Sequence, residues 1–209
     1  MTKNDELVAK VIGVRHRLGR GIAVGISGID CAGKSTLAES LRERLEHDRV
    51  PVLVIAGDQF TRPTAERYAD ADQGVGYYRD SFDYSWLFDR LLPSLRDGFD
   101  GEFVTHVSDW EGDAWRRQTF VIPPRAILLV EGCFLFTEEH AGAFDLCVWI
   151  DLPLERAVER ALTRPRDLDR MGGPDGVRAR YASRYVPGQQ LHLDRDAPQR
   201  RADIVLGTD

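Results

Sequence analysis

One glycine-rich segment constrains this chain more than any other feature. Residues 28–35 read Gly-Ile-Asp-Cys-Ala-Gly-Lys-Ser, after an apolar run of strand length at residues 22–26 and before a helical spacing of Leu37, Leu41 and Leu45. A strand, a tight glycine-bearing turn and a helix in this order aim successive backbone N–H groups, and the positive end of the helix dipole, at one point. The segment therefore predicts a phosphate-binding loop.

Two side chains of this loop carry specific expectations. Lys34 is expected to contact the β and γ phosphates of a nucleotide as a point charge, and the hydroxyl of Ser35 to coordinate Mg²⁺, which prefers hard oxygen ligands. The remaining residues expected to contact the nucleotide here are Gly28, Asp30, Cys31, Ala32, Gly33 and Thr36. Such loops occur in kinases, GTPases, motor ATPases and transporter subunits. The chain contains neither the guanine signature Asn-Lys-x-Asp nor the transporter signature Leu-Ser-Gly-Gly-Gln.

The fold class follows from four further apolar runs of strand length, at residues 50–56, 126–130, 146–150 and 202–206. Runs that are apolar almost throughout are typical of strands covered on both faces. Helical spacing at residues 5–18, 84–96 and 154–163 accompanies them. We therefore predict one α/β domain over residues 1–209, with three layers, a mainly parallel five-stranded sheet and an N-terminal helix within residues 1–20.

Composition excludes several classes of protein. The 28 Lys and Arg against 34 Asp and Glu give a net charge of −6, which disfavours nucleic acid as a bulk partner. Three cysteines are too few for a disulfide framework, which favours a reducing, cytoplasmic setting. No run approaches the roughly 18 apolar residues needed to span a bilayer, so no membrane partner is expected. The oligomeric state stays open, a homo-oligomer included.

Acidic residues follow two of the predicted strands. Asp58 comes directly after the second strand and Glu131 after the third. Ligands of open α/β sheets bind at the carboxyl ends of strands, so both carboxylates should face the phosphates. We expect Asp58 to act as a base on an attacking hydroxyl, and Glu131 to hold the metal directly or through water.

Two long segments without clear periodicity, residues 60–83 and 164–176, are predicted to be functional loops. The first belongs to a predicted substrate-binding region at residues 57–125, and the second to a mobile lid at residues 160–176. Arginines on a lid can close over ATP and spread the charge of the transferring phosphoryl group. We expect Arg160 to contact ATP, and Arg164 and Arg166 to take part in catalysis.

Several motifs occur together in this order: Gly-Ile-Ser-Gly-x-x-x-x-Gly-Lys-Ser-Thr at residues 25–36, Gly-Asp-x-Phe at 57–60, Arg-Asp-Ser-Phe-Asp at 79–83, Val-Glu-Gly at 130–132 and Ala-Asp-Ile-Val at 202–205. Together they resemble the uridine kinase and phosphoribulokinase family over residues 22–206. The resemblance implies a five-stranded parallel sheet, ATP with Mg²⁺, and phosphorylation of a primary hydroxyl. It also implies that Asp58 is the base and that Glu131 supports the metal.

The expected substrate contacts depart from the family pattern. Thr61 stands in place of a tyrosine, a stretch near Tyr77 replaces a ribose-binding aspartate, and Asp113 stands where nucleoside kinases tend to present a histidine. Trp110 can stack on a ring or simply pack, and Asp109 and Asp113 are candidate acceptors for polyol hydroxyls. The residues predicted to contact the substrate are therefore Asp58, Tyr77, Asp109, Trp110 and Asp113. Residues 181–189 are expected to form a helix beside the site without a chemical role.

These observations predict a kinase that transfers the γ-phosphoryl group of ATP to a small-molecule hydroxyl, on a nucleoside or a related ribose-containing compound. A sugar, a sugar phosphate, pantothenate or nicotinamide riboside is the alternative acceptor. A phosphorylated acceptor would require an additional basic pocket. The alternative from another class is a nucleotide-dependent switch that has no small-molecule acceptor.

Overall fold

A parallel sheet of five strands forms the centre of the computed structural model, which describes residues 3–207. The strands lie in the order β2-β5-β1-β6-β7. Their bounds are β1 Ile22–Gly28, β2 Val52–Ala56, β5 Ile127–Gly132, β6 Leu146–Asp151 and β7 Ile204–Gly207. The predicted sheet is thus confirmed, strand by strand. The predicted domain runs from residue 1 to residue 209, so its first two and last two residues lie outside the described range.

Ten α-helices accompany the strands within residues 3–207. Their bounds are α1 Lys3–Leu18, α2 Lys34–His47, α3 Thr64–Arg67, α4 Gln73–Asp80, α5 Leu92–Arg96, α6 Leu154–Ala161, α7 Pro165–Met171, α8 Pro174–Arg180, α9 Val186–Asp196 and α10 Pro198–Arg201. A 3₁₀ turn at Gly57–Phe60 follows β2, and π-helical turns at Leu87–Leu91 and Tyr181–Tyr185 lead into α5 and α9. None of the helices in this part of the chain is long and apolar enough to cross a membrane.

The central strand β1 has every residue buried because it pairs with β5 on one side and β6 on the other. Helices α1, α2 and α5 pack against it and complete the three-layer α/β fold. Apolar residues of β1, β5 and β6 make up much of the core, which explains their almost continuous hydrophobic sequence. The loop that follows β1 is thereby fixed at the carboxyl edge of the sheet.

Regular structure also occurs where no element was predicted. Strands β3 (Gly101–Asp109) and β4 (Ala114–Ile122) form an antiparallel hairpin outside the central sheet. Its first strand buries Phe103, Thr105 and Val107 while the alternate residues are exposed. Such a half-exposed strand lacks the continuous apolar run that identified the others.

The two segments predicted to be loops without regular structure contain short helices instead, which corrects that prediction. Helices α3 and α4 lie within residues 60–83, and α7 and α8 within residues 164–180. Each has eight residues or fewer, too short for an apolar period to be recognised. Residues typical of helix N-termini still occur at three of these helices. The Asp72 carboxylate caps α4 by accepting hydrogen bonds from two of its N–H groups. Pro165 and Pro174 occupy first-turn positions of α7 and α8.

Alanine substitutions at two glycines, one in β1 and one in α1, test how tightly the core is packed around β1. A Cβ added at Gly25 would lie 2.7 Å from Phe136 Cε1 and 2.8 Å from Phe144 Cδ2. We expect Gly25→Ala to destabilise the protein by about 1–3 kcal/mol through overpacking. Gly13→Ala is the matched control, because nothing lies within 4 Å of its added Cβ in α1. That control should gain about 0.5–1 kcal/mol of stability. Thermal unfolding of both variants measures the difference, and equal Tm values would contradict it.

Candidate active site

The phosphate loop closes around Lys34. Cys31 and Gly33 adopt φ values of 59° and 101°, left-handed conformations that turn the chain back toward the start of α2. The Lys34 ammonium donates a hydrogen bond to the Ile29 carbonyl at 2.8 Å, so the side chain spans the loop. Backbone donors, a helix N-terminus and one ammonium therefore converge at the end of the central strand.

The charge of Lys34 is balanced by acidic groups on all sides. Burial alone would lower the pKa of this ammonium, but the surrounding acidic groups outweigh burial and raise the pKa above its ordinary value. These groups belong to Cys133, Asp30, Glu131 and Asp58. Burial raises the pKa of the Cys133 thiol, which is therefore uncharged at neutral pH, so the three carboxylates carry the balancing charge. Lys34 is therefore a permanent cation in a site where a phosphate group would meet it directly.

Strand register brings Glu131 to Ser35. Glu131 is the penultimate residue of β5, paired with Ile26 of β1 and Ala56 of β2. The Ser35 hydroxyl donates to Glu131 Oε1 at 3.0 Å. Burial raises the pKa of Glu131, an effect that the charge of Lys34 partly opposes. The pair supplies two hard oxygen ligands beside the phosphate loop, a donor set that fits Mg²⁺.

Asp58 faces the same cavity from the 3₁₀ turn after β2. The N–H and hydroxyl of Thr61 both donate to the Asp58 carbonyl, which holds the turn in place. The turn can approach β5 because residue 57 is glycine: a Cβ there would lie 2.5 Å from the Tyr84 hydroxyl and 3.0 Å from the Glu131 carbonyl. The Asp58 carboxylate is exposed on the cavity wall and accepts no hydrogen bond from any residue in the range 3–207. It is available to an acceptor hydroxyl.

The structure changes the interpretation of Asp30 and Tyr77. The Asp30 N–H donates to Gln189 Oε1 at 2.6 Å, and its carboxylate accepts hydrogen bonds from Tyr77 Oη at 2.9 Å and from Gln189 Nε2 at 3.1 Å. Cys133 Sγ is a further donor at 3.3 Å. Asp30 therefore links the phosphate loop to α4 and α9, and the Tyr77 hydroxyl is engaged with it rather than free for a substrate.

The predicted lid arginines divide into two groups. Arg160 donates to the Cys31 carbonyl at 3.1 Å and does not line the cavity, so it supports the loop instead of facing ATP. Arg164 and Arg166 do line the cavity. Arg164 donates to Cys31 Sγ at 3.2 Å, and both guanidinium groups lie 3.7 Å from the Asp167 carboxylate. These contacts place Arg164 and Arg166 at the phosphate-loop end of the cavity.

Two predicted acceptor contacts lie away from the cavity. The Asp109 carboxylate accepts the N–H groups of Glu111 and Gly112, each at 3.2 Å, and Asp113 Oδ1 accepts the N–H and hydroxyl of Thr64. Asp109 thus holds the hairpin turn, since short aspartate side chains bond readily to backbone nearby in sequence. Asp113 holds the junction of that turn with α3. Trp110, between them, does line the cavity and is half exposed.

Several residues of the cavity wall had no predicted role there: Arg67, Tyr68, Arg170, Tyr181, Arg184 and Tyr185. Arg67 is the last residue of the short helix α3 and Tyr68 follows it, and the others lie in the helical segment from α7 to α9. The helix predicted over residues 181–189 is present, and it contributes to the site directly. The only sequence signal was the density of arginine between residues 156 and 184, which does not distinguish cavity residues from surface residues.

A parallel sheet whose central strand ends in this loop defines a P-loop nucleotide-binding protein. Uridine-cytidine kinase B of Dictyostelium discoideum is 25% identical over 196 residues, 89% of this chain and 77% of that protein. Curated relatives named uridine kinase or uridine-cytidine kinase confirm the predicted resemblance to the uridine kinase family. No protein-family model matches the chain.

Solved structures share the fold over nearly the whole chain. A protein described as a possible uridine kinase from Bacillus stearothermophilus superposes with a TM-score of 0.71 at 23% identity, covering 96% of this chain and 99% of that one. A candidate fructose transport system kinase from Silicibacter sp. TM1040 superposes with a TM-score of 0.75 at 21% identity, covering 98% of each chain. The fold is that of P-loop kinases.

Proposed function

We propose that the protein is an ATP-dependent kinase that transfers the γ-phosphoryl group to a hydroxyl of a small metabolite, a nucleoside or a related ribose-containing compound. The observation that carries the proposal is the convergence of Lys34, the Ser35–Glu131 pair and the free Asp58 carboxylate on one cavity. The uridine kinases among its relatives support the acceptor class.

Each group has a role that follows from its position. The loop N–H groups and Lys34 hold the phosphates of ATP, and Arg164 and Arg166 offset the charge on the transferring group. Asp58 orients the acceptor hydroxyl and takes its proton as the new bond to phosphorus forms. Phosphoryl transfer requires little covalent work from a protein, so positioning and charge stabilisation supply most of the rate.

Ser35 and Glu131 would hold Mg²⁺ in this proposal. When bound, the ion supplies charge neutralisation for the phosphate oxygens. Segment 160–176 remains a proposed lid and segment 57–125 a proposed acceptor-binding region, because Arg164 and Arg166 line one end of the cavity and Trp110 lies on its wall. A closing segment would exclude water from the transfer.

An acceptor screen tests the proposal. Purified protein is mixed with MgATP and a panel of nucleosides, sugars and vitamin precursors, ADP is measured, and the product is identified by mass. We expect ADP to form in step with one new phosphate ester. Slow hydrolysis at the same rate with and without every acceptor would contradict the proposal and favour a nucleotide-dependent switch.

The raised pKa of Glu131 predicts how the Mg²⁺ requirement depends on pH. A carboxyl group whose pKa lies above its ordinary 4.5 is protonated at a higher pH than an exposed glutamate, and a protonated carboxyl is a poor metal ligand. The Mg²⁺ concentration for half-maximal turnover should therefore rise as pH falls, by about tenfold per unit once pH is below that pKa.

Glu131→Gln should need more Mg²⁺ at every pH and lose most of this pH dependence. Glu139→Gln is the control, since that exposed residue lies away from the cavity. Steady-state assays from pH 5 to 8, with circular dichroism to verify folding, measure both variants. An unchanged Mg²⁺ requirement in Glu131→Gln would remove Glu131 from the metal site.

A further inference from the structure

A second group of arginines lies in the active-site cavity away from the phosphate loop. Arg67, Arg170 and Arg184, which we call the distal arginines, surround the rings of Tyr68 and Trp110. The guanidinium carbons of Arg67 and Arg170 lie 5.7 and 5.2 Å from the centre of the Trp110 ring, and that of Arg184 lies 4.1 Å from the centre of the Tyr68 ring. Three cations thus converge on two neighbouring aromatic rings.

Within residues 3–207, no carboxylate lies within ion-pair distance of the distal arginines. None of the three forms an ion pair with any carboxylate in residues 3–207, whereas Arg164 and Arg166 share Asp167. Arg184 is only 2% exposed, and its hydrogen bonds go to neutral oxygens, among them the Arg67 carbonyl at 2.7 Å and the Ser81 hydroxyl at 3.0 Å. A buried cation without a carboxylate in direct contact is unfavourable, and burial accordingly lowers the pKa of Arg184, whose charge acts on Asp80 only from beyond ion-pair distance.

Arg67 has unused hydrogen-bonding capacity. Its Nε–H is buried and has no partner, although its Nη2 donates to the Thr64 hydroxyl at 3.1 Å. The Arg170 guanidinium makes no hydrogen bond to any residue in the described chain, and Arg170 is exposed on the cavity wall. Guanidinium groups with free donors bind phosphate or carboxylate in a bidentate manner. The whole chain carries a net charge of −6, so this local excess of positive charge is not part of a generally basic surface.

The distal arginines lie within or next to the proposed acceptor-binding region, residues 57–125. Arg166 and Arg170 are four residues apart on α7, so they share one face about 6 Å apart along the helix. Arg166 acts electrostatically on Glu131, while Arg170 contacts Trp110. Arg67 and Trp110 both belong to the segment that follows Asp58. Two of the distal arginines thus contact Trp110 of the proposed acceptor-binding region, and Arg170 lies one helical turn beyond Arg166.

We propose that the acceptor carries a compact anionic group, a phosphate monoester or a carboxylate, bound by Arg67 and Arg170 beside Trp110. Arg184 acts as a positioning residue, because it bonds the Arg67 carbonyl and packs on the Tyr68 ring. The inference rests on the proposed kinase function and narrows its substrate class. The anion supplies the direct ion-pair partner that Arg67 and Arg170 lack within the described residues.

Binding measured without turnover tests this inference. The full-length protein, saturated with a non-hydrolysable MgATP analogue, is titrated calorimetrically with matched neutral and charged compounds: uridine and orotidine, ribose and ribose 5-phosphate, glycerol and D-glycerate. Inorganic phosphate serves as the bare anion. We expect the charged member of at least one pair to bind about tenfold or more tightly than its neutral partner, the scale of one charge-assisted hydrogen bond. The pair that responds distinguishes phosphate from carboxylate.

Two variants locate the anion. Arg67→Gln and Arg170→Gln should each weaken binding of the charged compound by about 10- to 100-fold, with affinity for the nucleotide analogue changed less than about twofold. Arg178→Gln is the matched control, because Arg178 is exposed, pairs with Asp175 and lies outside the cavity. Arg170→Gln alone suffices if Arg67→Gln does not fold, since Arg170 has no hydrogen bond to lose.

The inference is overturned if every neutral compound binds as tightly as its charged partner, or if the two variants weaken the nucleotide analogue instead. The second result would assign these arginines to the phosphoryl donor. Neither result affects acceptor-dependent ADP formation, so failure of this inference is distinguishable from failure of the proposed kinase function.

Discussion

Replacement of Lys34 by alanine is expected to reduce kcat/KM by about 10³-fold or more, the upper range for loss of one preorganised charged donor. The side chain is half-buried, spans the phosphate loop and acts electrostatically on three carboxylates, Asp30, Asp58 and Glu131. Without it, these carboxylates repel the phosphates of ATP. Both MgATP affinity and turnover should therefore fall, in contrast to a residue that acts only on the acceptor.

Lys10→Ala is the matched control for this experiment, since Lys10 is exposed on α1 far from the loop in sequence. Calorimetry with the MgATP analogue measures binding, steady-state assays measure kcat/KM, and thermal unfolding verifies that the variant folds. A folded Lys34→Ala protein with unchanged MgATP affinity would show that the loop does not bind phosphate as proposed.

Replacement of Asp58 by asparagine should separate binding from chemistry. The side chain keeps its size and its place on the 3₁₀ turn, because the turn is held through the Asp58 carbonyl and not through the carboxylate. What is lost is the ability to accept the proton of the acceptor hydroxyl. We expect kcat to fall by about 10²- to 10⁴-fold, the range for a lost general base, with MgATP affinity within about twofold of the original.

Asp113→Asn is an informative control for Asp58→Asn. Asparagine retains an acceptor oxygen for the Thr64 N–H and hydroxyl, so the hairpin junction should remain intact. If Asp113 lies outside the site, as the structure indicates, kcat and KM should not change. Near-normal turnover in Asp58→Asn on the true acceptor would remove Asp58 from its catalytic role, whatever the result for Asp113.

Elements whose sequence pattern is local could be predicted well. The phosphate loop depends on consecutive residues between Gly28 and Ser35, and the strands β1, β5 and β6 have almost every position buried. Such continuous apolar runs indicate a buried strand whatever the rest of the chain contains. The rule that ligands bind at the carboxyl ends of strands was enough to bring Asp58 and Glu131 to the loop, since parallel strands end at one edge of the sheet.

Elements that depend on partners distant in sequence were missed. The hairpin β3–β4 exposes alternate residues, and helices α3, α7 and α8 span two turns or fewer, so their stability comes from tertiary contacts rather than from propensity. The roles of Asp109 and Asp113 were assigned from position in the chain, but Asp109 bonds the backbone of its own turn and Asp113 bonds Thr64, 49 residues away.

The sequence by itself therefore determined the class of fold, the phosphate loop and the two strand-end carboxylates, because these rest on backbone geometry that a few adjacent residues dictate. Only the tertiary structure decided which side chains share the cavity. Arg67, Trp110, Arg170 and Arg184 come from separate segments of the chain, and nothing in their spacing indicates that they meet. The direction of a side chain, and the presence or absence of a counter-charge beside it, depend on packing between elements far apart in sequence.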